Sequence, residues 1–114
     1  MLTMDALKRY GANTIEGVRK CGNKESLYLR LVEEIPYHEG FKRLEEAIKN
    51  KDMEEAFNAS NSLKGAIANL SLTPLFLPIM EITENLRAQK GMNYNSLLKT
   101  IKEEREKLEM ICKD

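Results

Sequence analysis

The sequence has no excess of charge of either sign, because 18 lysine and arginine residues are balanced by 18 aspartate and glutamate residues. A protein that binds a nucleic-acid backbone needs a concentration of positive charge to displace the counterions around the phosphates. The balance therefore predicts that nucleic acid is not a partner.

Long apolar runs are also missing. No segment approaches the roughly 20 apolar residues that a membrane-spanning helix requires. Residues Met1 to Asp5 lack the basic stretch and apolar run of a secretory signal. With 42% hydrophobic and 32% charged residues, the composition is too apolar for a disordered tail. We therefore expect a cytoplasmic protein without a membrane partner.

Cysteine and histidine are scarce. Cys21 and Cys112 lie near opposite ends of the chain and have none of the short spacings typical of zinc or redox sites. We interpret both as free thiols packed at the ends of the fold, and we expect no metal and no cofactor. The single histidine, His38, is interpreted as an ordinary surface or helix-start residue.

Helical periodicity is present almost everywhere. Apolar residues recur at three- and four-residue steps, and no alternating stretch is long enough for a convincing strand. A chain of 114 residues suits one domain with one core. The sequence predicts an all-α fold over residues 1–114. Its expected form is an antiparallel up-and-down four-helix bundle with short extra N-terminal helices, since short loops join the long helices.

The predicted helices are bounded by capping residues, glycines and prolines. Asn13, Asn23 and Asp52 are the expected N-caps, and Pro36 interrupts the backbone hydrogen bonding between two segments. Pro78 is expected to bend the sixth helix. The predicted segments are 2–10, 14–20, 23–35, 37–50, 52–70, 73–91 and a last helix that starts near Asn93 or Asn95.

The most informative segment is Ala59-Ser60-Asn61-Ser62-Leu63-Lys64-Gly65, followed by Ala68-Asn69-Leu70-Ser71-Leu72. It resembles the motif of the histidine-containing phosphotransfer (HPt) domains of bacterial two-component signalling. In that motif a histidine is followed by any residue, then leucine or isoleucine, lysine and glycine, and later by a glycine that ends the helix. The similarity extends over nearly the whole chain and is most specific over residues 52–87.

The match to this motif is close but lacks its reactive residue. Leu63, Lys64 and Gly65 agree with the pattern, whereas Asn61 stands at the histidine position and Ser71 at the position of the later glycine. The nitrogen lone pair of an amide is delocalised into the carbonyl, so asparagine offers hydrogen bonds but no nucleophile. We therefore expect a chain that is not an enzyme and does not carry phosphate.

The resemblance implies a docking site for the receiver domain of a response regulator or hybrid kinase. Lys64 would neutralise phosphate, and Gly65 would admit the receiver. On a helix, the residues expected to share one exposed strip are Asn58, Asn61, Lys64, Gly65 and Ala68. Glycine within a helix costs about 1 kcal/mol against alanine, which indicates that something approaches the backbone at Gly65. Close packing of a neighbouring helix is the alternative explanation.

Two other functions stay open at this point. One is an active phosphotransfer protein that uses His38 or another acceptor. The other is a purely structural helical-bundle interaction domain whose motif match is accidental. Transfer of label from a phosphorylated receiver separates the first of these from a docking module, and a binding titration separates the second.

Overall fold

The computed structural model describes residues 1–113, and all regular secondary structure within them is helical. The elements are α1 (Met4–Tyr10), α2 (Thr14–Lys20), α3 (Glu25–Glu34), a 3-10 turn (Ile35–Tyr37), α4 (Gly40–Lys49), α5 (Met53–Asn69), α6 (Thr73–Arg87) and α7 (Asn95–Lys113). The predicted all-α class is confirmed.

Several helix ends lie where local capping chemistry predicts them. The side chains of Asn13 and Asp52 accept hydrogen bonds from backbone N–H groups at the starts of α2 and α5. Gly11 ends α1 in the left-handed conformation, with φ 108°. The 3-10 turn that contains Pro36 separates α3 from α4, as expected for a residue without a backbone N–H.

Other boundaries differ from the sequence prediction. Asn23 does not cap α3. It adopts φ 61°, and its N–H donates to the Val18 carbonyl, so it completes the turn after α2 instead. Helix α6 ends at Arg87 rather than near Gly91, because Gln89 turns the chain with φ 54°. The helix continues without a break through Pro78, and the expected bend there stays a prediction.

Helices α4 to α7 pack in chain order, α4 against α5, α5 against α6 and α6 against α7, while α1 and the 3-10 turn contact α7. Their apolar faces form one core. Tyr28 of α3 lies fully buried, and its hydroxyl donates to the Leu70 carbonyl at 2.9 Å. A Cβ on Gly17 would lie 2.4 Å from the Tyr28 ring, so this glycine permits the close contact of α2 with α3.

Helix α5 lies between α4 and α6 and positions the candidate site. Its buried side consists of Ala56, Ala59, Ser60, Leu63 and Ile67. Phe57, beside this buried side, is only half-buried. Met53, the first residue of α5, is 39% exposed. The contact with α4 is close, because a Cβ on Gly40 would lie 2.7 Å from Leu63 Cγ.

Candidate docking site

The five predicted binding residues follow one side of α5. Asn58, Asn61 and Gly65 are exposed, whereas Lys64 and Ala68 are half-buried. Their spacing of three and four residues aligns them over about 15 Å of helix. The structure thus brings all five onto one side of α5, and their role in binding stays a prediction.

Gly65 has open space above it. Among residues 1–113, and apart from its chain neighbours and the backbone of α5 itself, a Cβ on this residue would have no heavy atom within 4 Å, whereas Cβ atoms on Gly17 and Gly40 would collide with neighbouring side chains. Close helix packing therefore explains Gly17 and Gly40 but not Gly65. An exposed glycine in the middle of a helix weakens the helix without any compensating contact in the folded chain.

Lys64 is directed toward α6. Its ammonium Nζ lies 3.8 Å from Oε2 of Glu84, and its side chain is 26% exposed. The same Glu84 oxygen accepts a hydrogen bond from Arg87 Nε at 3.2 Å. The positive charge of Lys64 is therefore partly neutralised by a residue of the next helix, which the spacing within α5 does not reveal.

Helix α6 adds a second row of side chains beside the predicted strip. The row consists of Phe76, Met80, Glu84 and Arg87. Steps of four, four and three residues place them along one side of α6. The Arg87 guanidinium lies over the Phe57 ring of α5, 4.9 Å from its centroid, which joins the two helices by a cation–π contact. We call the strip and this row together the α5–α6 face.

Helix α2 borders this face at the C-terminal end of α5. Lys20 Nζ donates a hydrogen bond to the Ala68 carbonyl at 2.9 Å and pairs with Glu16 at 3.0 Å. The Lys20 ammonium also donates a hydrogen bond to the Glu16 carboxylate, and this bond holds the pKa of the Glu16 carboxyl below its ordinary value. A partner on the α5–α6 face would therefore meet α2 beside Ala68.

Ser71 adopts the left-handed conformation, with φ 53°. Its carbonyl accepts a hydrogen bond from the Asn13 N–H at 3.0 Å, which fixes the turn after α5 against the start of α2. Glycine is the residue favoured in this conformation, because a Cβ is crowded there. The backbone at Ser71 is thus of the kind for which the resembled motif uses glycine.

His38 lies away from the motif. Its Nδ1 accepts a hydrogen bond from the Gly40 N–H at 2.9 Å. In a neutral imidazole this leaves the proton on Nε2, so neither nitrogen has a free lone pair. His38 lines a cavity with Ala66 and Asn69, and Ala66 is on a different side of α5 from Asn61. The fold does not bring His38 to the predicted strip.

Cys21 and Cys112 are free and half-buried, and burial raises the pKa of the Cys112 thiol to about 11. Within residues 1–113, no group of three or more histidine, cysteine, aspartate or glutamate side chains is placed to hold a metal ion. None of the helices described has both the length and the apolar character needed to cross a membrane.

Comparisons with protein-family models, curated proteins and solved structures found no match.

Proposed function

We propose that this chain is an HPt-like docking module of a two-component phosphorelay. Its α5–α6 face binds the receiver domain of a response regulator or hybrid kinase, and the chain does not carry phosphate. The observation that supports this most is Gly65, where α5 loses about 1 kcal/mol of helix stability with no neighbour to fill the space. A partner domain that packs against the backbone of α5 at Gly65 would fill this space.

The proposal includes the finer architecture expected from the sequence. Helices α4 to α7 form an antiparallel up-and-down bundle, and the N-terminal helices α1 to α3 cover it. Support comes from the packing of consecutive helices and from their connections, which are residues 50–52, 70–72 and 88–94. Short connections favour antiparallel neighbours. A cytoplasmic location goes with this proposal.

The chemistry of the site supports docking without phosphate transfer. Asn61 has no nucleophilic nitrogen. Glu84 adds a second obstacle, because its carboxylate lies beside Lys64 and would repel an incoming phosphoryl group. The α5–α6 face therefore keeps a shape suited to a partner while two features oppose group transfer.

The alternative acceptor, His38, is less well supported. Its Nδ1 is occupied by the Gly40 N–H, so attack on phosphorus would require a change of tautomer or loss of that hydrogen bond. A purely structural domain is also less well supported, since it leaves the open space at Gly65 unexplained.

The test is a binding titration with receiver domains from the organism that encodes the chain. Gly65→Leu should weaken binding at least about tenfold, because a branched side chain would block the partner's approach. Glu103→Leu, at another exposed helix position, on α7, is the matched control and should bind like the wild type. Equal binding by wild type and Gly65→Leu, or no binding by any receiver, would contradict the proposal.

A further inference from the structure

A second surface lies where the turn between α4 and α5 meets the loop between α6 and α7. These segments enclose an open groove of about 1140 Å³. Met53 and Met92 are 39% and 42% exposed there, so the groove presents two large apolar side chains to solvent. We call this surface the methionine groove. Its apolar lining consists of Ile48, Met53, Phe57, Leu86, Met92 and Tyr94.

The groove is a built feature of the fold. Lys51 and Gln89, with φ 57° and 54°, turn the chain sharply after α4 and α6. The loop is then held by Tyr94, whose buried ring lies in the core and whose hydroxyl donates to the Lys90 carbonyl at 2.8 Å. The walls of the groove are therefore tied to the helices.

The rim of the groove is positively charged. Lys51, Arg87 and Lys90 line it together with a single carboxylate, Glu54, although the whole chain has no net charge. Arg87 pairs with Glu84, which lies outside the groove. Among residues 1–113, neither the Lys51 nor the Lys90 ammonium has a carboxylate within 4 Å. Two cations beside an apolar floor thus have no carboxylate partner in the described part of the chain.

We propose that the methionine groove binds an acidic segment of a partner protein that carries large apolar side chains. The apolar side chains pack on Met53, Phe57 and Met92, because the flexible methionine side chain adapts to varied shapes. Carboxylates of the segment pair with Lys51 and Lys90. Burial of the floor supplies affinity, and the charges select acidic segments over basic ones.

The groove is separate from the receiver-docking proposal but adjoins the same face. Phe57 and Arg87 line the groove and also join α5 to α6. A segment bound in the groove therefore lies next to any partner on the α5–α6 face. Binding in the groove requires no receiver, so either proposal can fail while the other stands.

The first test uses designed helical peptides of about 15 residues. One carries leucines on one side and glutamates on the other, a second replaces the glutamates by lysines, and a third replaces the leucines by alanines. Amide chemical shifts locate binding on the full chain, and fluorescence anisotropy measures Kd. The acidic leucine peptide should shift Met53, Met92 and Tyr94. The other two peptides should bind at least about tenfold more weakly.

The second test reverses charge at the rim. The double variant Lys51→Glu/Lys90→Glu should weaken binding of the acidic leucine peptide at least about tenfold. The matched control is Lys99→Glu/Lys102→Glu, which changes the net charge equally at exposed positions of α7 and should leave Kd unchanged. An equal loss in both variants would overturn the proposal, since it would reflect overall charge.

Two further outcomes would also overturn it. One is that the acidic leucine peptide does not bind the groove, either because it does not bind at all or because the amide chemical-shift changes are confined to other parts of the chain. The other is binding to phosphatidylglycerol vesicles with shifts of the same groove residues and no peptide binding, which would identify the groove as a membrane contact instead.

Discussion

Lys64 on α5 and Glu84 on α6 form an ion pair across the helix interface, with Nζ 3.8 Å from Oε2. Glu84 is held at the same oxygen by Arg87, so two cations share one carboxylate. In the motif that this chain resembles, the lysine is implied to neutralise phosphate. Here the lysine already has a partner, and any incoming anion must compete with Glu84.

The Asn61→His variant should accept some phosphate from a phosphorylated receiver, because the imidazole would project from the exposed side of α5. Acid-labile labelling measures the transfer. Adding Glu84→Gln should increase the labelling, because Lys64 is then released from its carboxylate partner. The wild type is the control and should take up no label from the same phosphorylated receiver. A histidine variant that binds the receiver but takes up no label would show that more than one residue has diverged.

Substitution of glycine by alanine should have opposite effects at two positions. Gly65→Ala should raise the free energy of unfolding by about 0.5–1 kcal/mol, since the added methyl group meets open space and improves helix propensity. Gly40→Ala should lower it, because the new Cβ would lie 2.7 Å from Leu63 Cγ. Urea unfolding of both variants measures the difference. Destabilisation by Gly65→Ala would show that the space above α5 is occupied.

Ser71→Gly should stabilise the fold by about 1 kcal/mol relative to Ser71→Ala. Both variants remove the hydroxyl, whose buried oxygen has no hydrogen-bond partner among residues 1–113. Only glycine relieves the left-handed backbone at φ 53°. Thermal unfolding of the two variants isolates the backbone effect, and equal stability would mean that Ser71 carries no strain.

Acid should destabilise the fold partly through Glu55. Arg43 donates two hydrogen bonds of 3.0 Å to this carboxylate, and they hold the pKa of Glu55 below its ordinary value of 4.5. The unfolded state then binds the proton more readily than the folded state does. The stabilisation is present above the ordinary pKa and is lost as the pH falls through the lowered one.

Glu55→Gln should therefore be less stable than the wild type near neutral pH and approach it at low pH. Urea unfolding between about pH 6 and pH 2 measures this convergence. Glu103→Gln removes the same charge from an exposed residue without an ion-pair partner among residues 1–113, and it is the matched control. Parallel pH curves for Glu55→Gln and the wild type would contradict the prediction.

Local chemistry along the chain determined the helices and one side of the candidate site. Asn13 and Asp52 cap their helices because each side chain reaches a backbone N–H three residues later, whatever the rest of the fold does. The alignment of Asn58, Asn61 and Gly65 follows in the same way from the 3.6-residue turn. Asn23 shows where such reasoning fails. Asparagine suits both an N-cap and a left-handed turn, and in the fold Asn23 adopts the left-handed turn after α2 instead of capping α3.

Tertiary structure decided which residues of different helices meet. The contacts of Lys64 with Glu84 and of Phe57 with Arg87 join positions 20 and 30 residues apart, and depend on how α5 and α6 are aligned. The same holds for the exposure of Met53, which fits the helical apolar period but lies at the N-terminal end of α5 and is 39% exposed. The apolar period of one helix specifies which face of that helix is buried. Which helix packs against that face depends on the packing of the whole chain.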